Sequence, residues 1–160
     1  RQQGNPVRGA TVFYDNKVSC ATCHDPADNL RLGPKLTDRH EATNDRHLLE
    51  SILHPSKSIR TGYEPVIVMT FDGNMRSGVR VAENERTISI RDLSAGGQLL
   101  EYRKEDLDEI MQSKVSMMPA NLANNLQDQQ QFLDLLSFVF EIAAGGDDRL
   151  NQLRPAIPAE

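Results

Sequence analysis

Cys20, Cys23 and His24 form a C-x-x-C-H run, the one place in this sequence where two thiols stand beside an imidazole. Two cysteines at this spacing can form thioether bonds to the vinyl groups of a haem, and the following imidazole can bind the haem iron. The chain has no further cysteine, which disfavours both a zinc ribbon and a disulfide framework. The run therefore predicts covalent attachment of one haem c, with His24 as an iron ligand.

A redox-active dithiol is the main alternative for the same two cysteines. Thioredoxin-like sites lie in a βαβ unit, whereas the segments that flank Cys20 and Cys23 have the pattern of helix and loop. In that alternative the protein would be an interaction module without haem.

A short run of Gly33, Pro34, Lys35 and Leu36 follows the cysteine motif. The carbonyl oxygen of Pro34 is placed to accept a hydrogen bond from the ring N–H of His24, which would fix the imidazole tautomer and strengthen it as a ligand. A Gly-Pro pair can also be a simple turn, so the sequence alone leaves both interpretations open.

Several other side chains are candidates for the opposite side of an iron. Met117 and Met118 precede Pro119 in a predicted loop, and a methionine thioether is a known haem ligand. Methionine is also a common filler of irregular apolar gaps, so packing is the alternative for this pair. The remaining histidines, His40, His47 and His54, lie on or near a polar helix face, where an imidazole is usually solvated. Their spacing matches no metal-binding motif.

Length and charge restrict the classes of function. A chain of 160 residues is long enough for a single domain with its own core. It has 23 acidic and 18 basic side chains and a formal charge of −5, which disfavours nucleic acid and anionic membranes as direct partners and permits a basic redox partner. No apolar run approaches the ~20 residues that cross a bilayer.

No signal peptide is evident at Arg1, although haem c is attached only after export. We therefore expect a mature chain or an excised domain of a bacterial periplasmic or otherwise exported protein.

Hydrophobic periodicity predicts a mainly helical domain over residues 1–146 with a small antiparallel β insertion at about 63–103, followed by an extended or mobile tail at 147–160. The predicted hairpins pair residues 66–71 with 75–82 and 87–91 with 98–102. Helices are predicted from Pro6 to Tyr14, from a Thr43-Asn44 cap to a stop at Pro55, over 104–111 and over 128–143. Gly145 and Gly146 are predicted to end the last helix.

In this order the motifs resemble a class I cytochrome c. The resemblance implies a helical fold around one haem, in which the first and last helices cross at a glycine and an aromatic residue. Gly9 and Phe13 match the first helix, and Phe138 matches the last. The distal iron ligand of that family is a loop methionine before the last helix, which implies Met118 here, with Met117 as the fallback.

A closer resemblance is to the haem-binding domain family of planctomycetes and verrucomicrobia, which often stands at the C-terminal end of larger exported proteins. The long separation of His24 and Met118 by predicted strands is a departure from ordinary class I proteins. The similar stretches span about residues 4–143 and are residues 9–13, 20–24, 33–37, 50–56, 62–63, 70–73, 78 and 118–119.

Two functions follow from these observations. The first is electron transfer by a haem with His24 and Met118 as axial ligands, because a thioether ligand favours ferrous iron and suits an acceptor of electrons from a dehydrogenase partner or fused dehydrogenase domain. The alternative is a gas-binding or sensing haem for CO or NO, with a labile distal methionine. A peroxidase would also require a distal acid or base, for which only the remaining histidines are available.

Overall fold

The computed structural model of the protein describes residues 3–25, 32–38, 44–92 and 94–155. The predicted cap residue Thr43 and the candidate ligand His40 lie outside these ranges. Within them the elements are helices α1 (Pro6–Tyr14), α2 (Cys20–His24), α3 (Asp45–Leu53) and α4 (Gln129–Leu153), and strands β1 (Pro65–Thr70), β2 (Met75–Glu83), β3 (Thr87–Asp92), β4 (Gln98–Arg103) and β5 (Leu107–Gln112). Two 3-10 turns cover Lys104–Asp106 and Leu122–Asn125. No helix in the described ranges is long and apolar enough to cross a membrane.

Helix α1 begins where the sequence predicts. The side chain of Asn5 accepts hydrogen bonds from the backbone amides of Val7 and Arg8, at 2.9 and 3.1 Å, and Pro6 occupies the first turn. This cap satisfies amides that have no partner inside the helix. The start of the helix that precedes the cysteine motif is therefore fixed by local sequence.

Helices α1 and α4 cross at close range because Gly9 has no side chain. A Cβ on Gly9 would lie 1.9 Å from the backbone oxygen of Asp134, and the rings of Phe13 and Phe138 pack against each other in a tilted arrangement with centroids 5.1 Å apart. Both rings are almost fully buried. The predicted pairing of Gly9, Phe13 and Phe138 is confirmed as a packing contact.

The polar residues of α4 include Asp134, which is buried against α1. Its carboxylate accepts hydrogen bonds from the guanidinium of Arg8, at 2.7 and 3.1 Å, and from the backbone amide of Asn5 at 2.6 Å. The Arg8 side chain holds the pKa of this carboxyl down to about 2. The first and last helices are thus joined by an ion pair as well as by apolar packing.

The prediction of an extended tail after Gly146 is wrong for the residues described. Gly146 adopts φ 68° and ψ −157° and kinks the chain, but helix continues beyond it to Leu153. Leu150 and Leu153 are each only 6% exposed and belong to the core of the helices. Burial of these two leucines outweighs the tendency of a Gly-Gly pair to end a helix.

The strands form one antiparallel sheet in the order β4-β3-β2-β1-β5. Both predicted hairpins are confirmed, with Val66 opposite Gly78 and Ile90 opposite Leu100. A Cβ on Gly78 would lie 2.4 Å from the backbone oxygen of Arg91, so the close approach of β2 to β3 requires glycine at this position. The sheet has a core of its own, formed by Val66, Val68, Ile88, Ile90 and Leu107.

The helix predicted over residues 104–111 is wrong. Its apolar residues at 107, 110 and 111 fit helical spacing, but the chain makes only a 3-10 turn at Lys104–Asp106 and then strand β5, which pairs with β1 along Val66–Gln112 to Thr70–Leu107. Pairing with a strand that is remote in sequence overrides the local pattern in so short a segment. The strands consequently extend to Gln112 rather than ending near residue 103.

The predicted fold class, a mainly α class I cytochrome c fold with a small β insertion, is contradicted. A five-stranded sheet accounts for 23% of the described residues and helix for 39%, which makes this a mixed α/β fold. The prediction failed because the strands form a separate apolar core and are not a minor addition to the helical core.

Candidate functional site

Helix α2 is a single turn that consists entirely of the cysteine motif, Cys20–His24. The residue before it, Ser19, adopts a left-handed conformation with φ 55°, which turns the chain from the preceding loop into the helix. Residues three apart lie on the same face of a helix, so Cys20 and Cys23 are neighbours. Both thiols are half-buried and free.

The hydrogen bond predicted between His24 and Pro34 is present. Nδ1 of His24 lies 2.8 Å from the carbonyl oxygen of Pro34. Because a carbonyl oxygen can only accept, Nδ1 carries the proton and Nε2 keeps its lone pair. This is the tautomer in which Nε2 can bind a metal.

Gly33 is a site residue that the sequence interpretation missed. Its amide donates to the carbonyl oxygen of Cys23 at 3.0 Å, and a Cβ at this position would lie 2.9 Å from Cε1 of His24. A side chain would therefore press on the imidazole. The Gly-Pro pair, which the sequence offered as a possible turn, is the signal from which this contact can be inferred.

Burial determines the protonation of the motif. It lowers the pKa of the half-buried His24 imidazole, although the hydrogen bond to Pro34 opposes this change, so the ring is neutral at pH 7. Burial also raises the pKa of the Cys20 thiol to about 11 and raises that of Cys23. Redox-active dithiols have lowered thiol pKa values, so this environment disfavours the dithiol alternative.

A cavity of about 340 Å³ opens beside α2. Its size is within the range of small-molecule and cofactor sites, and most of its lining side chains are apolar. The sheet supplies one of them, the buried Val79 of β2. The other apolar lining residues come mainly from the helices and the loops around them: Phe13, Val18, Leu32, Leu36, Leu48, Ile52, Ile59, Leu122, Leu135 and Val139.

The two candidate methionines lie at the same cavity as the cysteine motif. Met117 and Met118 both line it, together with Cys20, Cys23 and His24. The structure therefore brings together residues that are more than ninety positions apart in sequence.

Hydrogen bonds anchor the methionine loop on both sides. The backbone amide of Ser116 donates to Oγ of Ser56 at 3.1 Å, and the amide of Met118 donates to Oγ of Ser116 at 3.1 Å. The hydroxyl of Ser77, in β2, donates to the sulfur of Met117 at 3.7 Å. This contact engages the sulfur of Met117 and leaves that of Met118 without such a partner in the described structure.

The histidines are less favourably placed as ligands. His47 lines the cavity, whereas His54 is exposed and does not. No cluster of three or more histidine, cysteine or acidic side chains suited to a bare metal ion occurs in the described part of the chain. The apolar cavity is better suited to a metal that is already coordinated within a large apolar ligand.

A basic side chain also faces this cavity. Arg60 is half-buried in the cavity lining, and its guanidinium has no ion-pair partner among the described residues. By contrast, the other lining cation, Lys35, binds Asp147 at 2.7 Å. An unpaired guanidinium at an apolar cavity is suited to a carboxylate of a bound molecule. Tyr63 and Ser58 line the same cavity and offer hydroxyl groups.

Taken together, these features fit a haem c. The group requires two thiols for covalent attachment, a neutral imidazole with a free nitrogen, an apolar cavity for the porphyrin and polar groups for its propionates. Each of these features is present around α2 in the described residues. Comparison with known proteins finds no family model and no curated protein that matches this chain.

Proposed function

We propose that this protein is an electron-transfer protein that carries one covalently bound haem c. Cys20 and Cys23 would attach the cofactor, and His24 and Met118 would bind its iron, with Met117 as the fallback for Met118. One observation supports the proposal above all others: the two thiols, the imidazole bonded to Pro34 and the methionine loop all face one apolar cavity. When bound, the haem iron supplies the one-electron chemistry.

The residues of the chain have separate tasks in this function. The two cysteines fix the cofactor in position, and the hydrogen bond from Nδ1 of His24 to Pro34 orients the imidazole and increases its basicity. The methionine thioether favours ferrous iron and so raises the reduction potential. The apolar lining of the cavity excludes water from the metal ligands.

Arg60 is proposed to bind a propionate of the haem. The guanidinium can form two parallel hydrogen bonds to a carboxylate, and it forms no ion pair with a described residue, although Asp38 also lines the cavity. This assignment would also neutralise a half-buried charge that has no ion-pair partner among the described residues.

We also propose the biological setting that the motifs imply. The chain resembles the planctomycete and verrucomicrobial haem-binding domain family, although it does not have the mainly helical fold of a class I cytochrome c. Export to the bacterial periplasm or cell surface follows from the chemistry of haem c attachment. The proposed partners are a redox protein or a fused dehydrogenase domain, with no nucleic acid and no direct membrane insertion.

Spectroscopy of the haem-loaded protein tests this function. We expect a redox mediator to cycle the native protein reversibly between ferric and ferrous states, and we expect the ferrous protein not to bind CO. Met118→Ala should bind CO readily and lose the near-infrared methionine-to-iron band of the ferric state. Met117→Leu, the matched control on the same loop, should behave as the native protein does.

Two outcomes would overturn this assignment of function. Ready CO binding by the native ferrous protein would indicate an open distal site and would favour gas binding over electron transfer. Loss of the near-infrared band in Met117→Leu but not in Met118→Ala would instead move the distal ligand to Met117.

A further inference from the structure

The end of α4 is anchored by buried leucines of its own. After the kink at Gly146, residues 147–154 form a terminal segment whose Leu150 and Leu153 are each 6% exposed in the core of the helices. Two buried leucines one turn apart place the segment in the core cluster that also contains residues of α1, α3 and the first part of α4. Its polar side chains are therefore held at defined positions.

The first polar residue of the terminal segment, Asp147, binds the chain just beyond Pro34. Its carboxylate accepts a hydrogen bond from Nζ of Lys35 at 2.7 Å and another from Oγ1 of Thr37 at 2.5 Å. Thr37 is 7% exposed, so this hydroxyl is shielded from competing water. The Lys35 ammonium lowers the pKa of the Asp147 carboxyl, with a further contribution from Thr37, and the carboxylate is ionised at neutral pH.

The last residue of the terminal segment, Arg154, binds the chain just beyond His24. One nitrogen of its guanidinium, Nη2, lies 2.8 and 2.6 Å from the two carboxylate oxygens of Asp25. The hydroxyl of Tyr14, in α1, donates to the same carboxylate. Asp25 is thus held from two elements that both belong to the helical core.

These contacts are made next to the two residues whose hydrogen bond orients the candidate iron ligand. Asp25 directly follows His24, and Lys35 directly follows Pro34. One rigid segment therefore binds the neighbours of both partners of the 2.8 Å bond between Nδ1 and the carbonyl oxygen. Holding both neighbours on a single body restricts the separation of the two partners.

We infer that the terminal segment is a strap that positions His24 against Pro34, through Arg154 on one side and Asp147 on the other. Asp147 and Arg154 are positioning residues, since neither lines the cavity. The electronic consequence of this inference rests on the proposed function. A weaker bond to Pro34 makes the imidazole less basic, destabilises ferric iron and so raises the reduction potential.

The strap is tested with Asp147→Asn, Arg154→Gln and the double variant. Asp147→Asn is isosteric, whereas Arg154→Gln shortens the side chain; both remove a charge and leave Leu150 and Leu153 unchanged. Arg103→Gln is the matched control, because Arg103, at the end of β4, forms ion pairs with Glu105 and Asp106, at 2.9 and 2.8 Å, in the 3-10 turn that follows. The first readout is the hydrogen-exchange rate of the Gly33 amide. This amide donates to the carbonyl oxygen of Cys23, next to the bond between His24 and Pro34, and its exchange can be followed with or without haem. The second readout is the midpoint potential of the haem-loaded protein.

We expect the double variant to speed exchange of the Gly33 amide by about tenfold and to raise the midpoint potential, while Arg103→Gln changes neither. Each single variant should give part of the effect. Unchanged Gly33 exchange in a folded double variant would overturn the strap, whatever the potential. If the chain does not take up haem, the proposed function fails, and Gly33 exchange still decides the strap by itself.

Discussion

The helices and the sheet of this protein each bury an apolar core, but they contribute differently to the candidate site. The helical core includes Phe13 and Phe138, and the sheet core includes Ile88 and Ile90, all of them at most 1% exposed. The thiols, the imidazole and its hydrogen-bond partner belong to α2 and the loop that follows it. The sheet adds Val79 to the cavity wall and Ser77 as a partner for Met117.

The helices and the sheet therefore have different roles at the candidate site. The helices hold the groups that would attach the cofactor and bind iron from one side. The sheet positions the loop of the distal candidates, because the chain passes from β5 into that loop and the amide of Ser113 donates to the carbonyl oxygen of Pro65 at 2.7 Å. Variants in the two regions should therefore have separable effects.

Phe138→Ala is expected to have the largest effect. Removing a fully buried ring that packs on Phe13 should lower the free energy of unfolding by about 4 kcal/mol. Chemical denaturation measures this change, and hydrogen exchange should show the loss concentrated in α1 and α4. Equal acceleration of exchange throughout the sheet would contradict the separation of the two cores.

Ile88→Ala is the corresponding change in the sheet. Ile88 is 0% exposed, and its truncation should lower the free energy of unfolding by about 3 kcal/mol. Because Ile88 and Phe138 lie in different clusters, the double variant should equal the sum of the single effects to within about 0.5 kcal/mol. A larger coupling energy would mean that the two cores act as one.

Two buried aspartates, one in the helical region and one in the sheet, should differ in their contribution to the free energy of unfolding. This difference should be smaller than the effects of Phe138→Ala and Ile88→Ala, and it should depend on pH. Asp134 has a pKa of about 2 in the folded protein, below its ordinary value of 3.8, because Arg8 stabilises the carboxylate. The folded state therefore gains on the order of 2 kcal/mol from this group above about pH 4, and this gain is lost as the pH falls toward 2. Asp134→Asn should remove that part of the acid sensitivity in denaturation curves taken between pH 2 and 6.

Asp92 provides the matched variant for this experiment. It is also fully buried, but its Oδ2 has no hydrogen-bond partner in the described structure and lies 3.7 Å from Arg76. Its Oδ1 accepts hydrogen bonds from the amide and the hydroxyl of Ser94, at 2.7 and 2.6 Å, and the amide oxygen of asparagine can accept the same bonds. Asp92→Asn should therefore cost less than about 1 kcal/mol at neutral pH. If Asp92→Asn costs as much as Asp134→Asn, the contrast between the two regions fails.

Gly33→Ala is expected to lower the free energy of unfolding by only about 1 kcal/mol, because the new Cβ would press on His24. It should also raise the midpoint potential of the haem-loaded protein by weakening the bond to Pro34. Gly73→Ala is the control on the β1–β2 turn, where φ is +83° and nothing lies within 4 Å of the new Cβ. It should cost a similar amount of stability and leave the potential unchanged.

Local sequence signals predicted much of the helical region and both hairpins. Asn5 and Pro6 determine the start of α1, and the Gly-Pro pair pointed to the carbonyl that accepts from His24. The sequence analysis missed strand β5 because its three apolar residues have helical spacing, and local sequence does not show that the segment pairs with the remote strand β1. The helix beyond Gly146 was missed because its stability comes from buried Leu150 and Leu153.

Contacts between distant segments explain the rest of what the sequence did not show. Arg60, Val79 and Ser77 have no motif of their own, and only the fold brings them to the cavity wall or to Met117. The ion pair of Asp134 with Arg8 likewise joins residues more than a hundred positions apart. The fold class was misjudged for a related reason, since the sheet core becomes visible only when all five strands pair.

The most direct test of the central claim is the mass of the chain after expression in a bacterium that attaches haem c. We expect the native protein to gain the mass of one haem on a proteolytic peptide that contains Cys20–His24, and the variant with Cys20→Ala and Cys23→Ala to gain none. A native chain that folds, with both thiols free and no added mass, would contradict that claim.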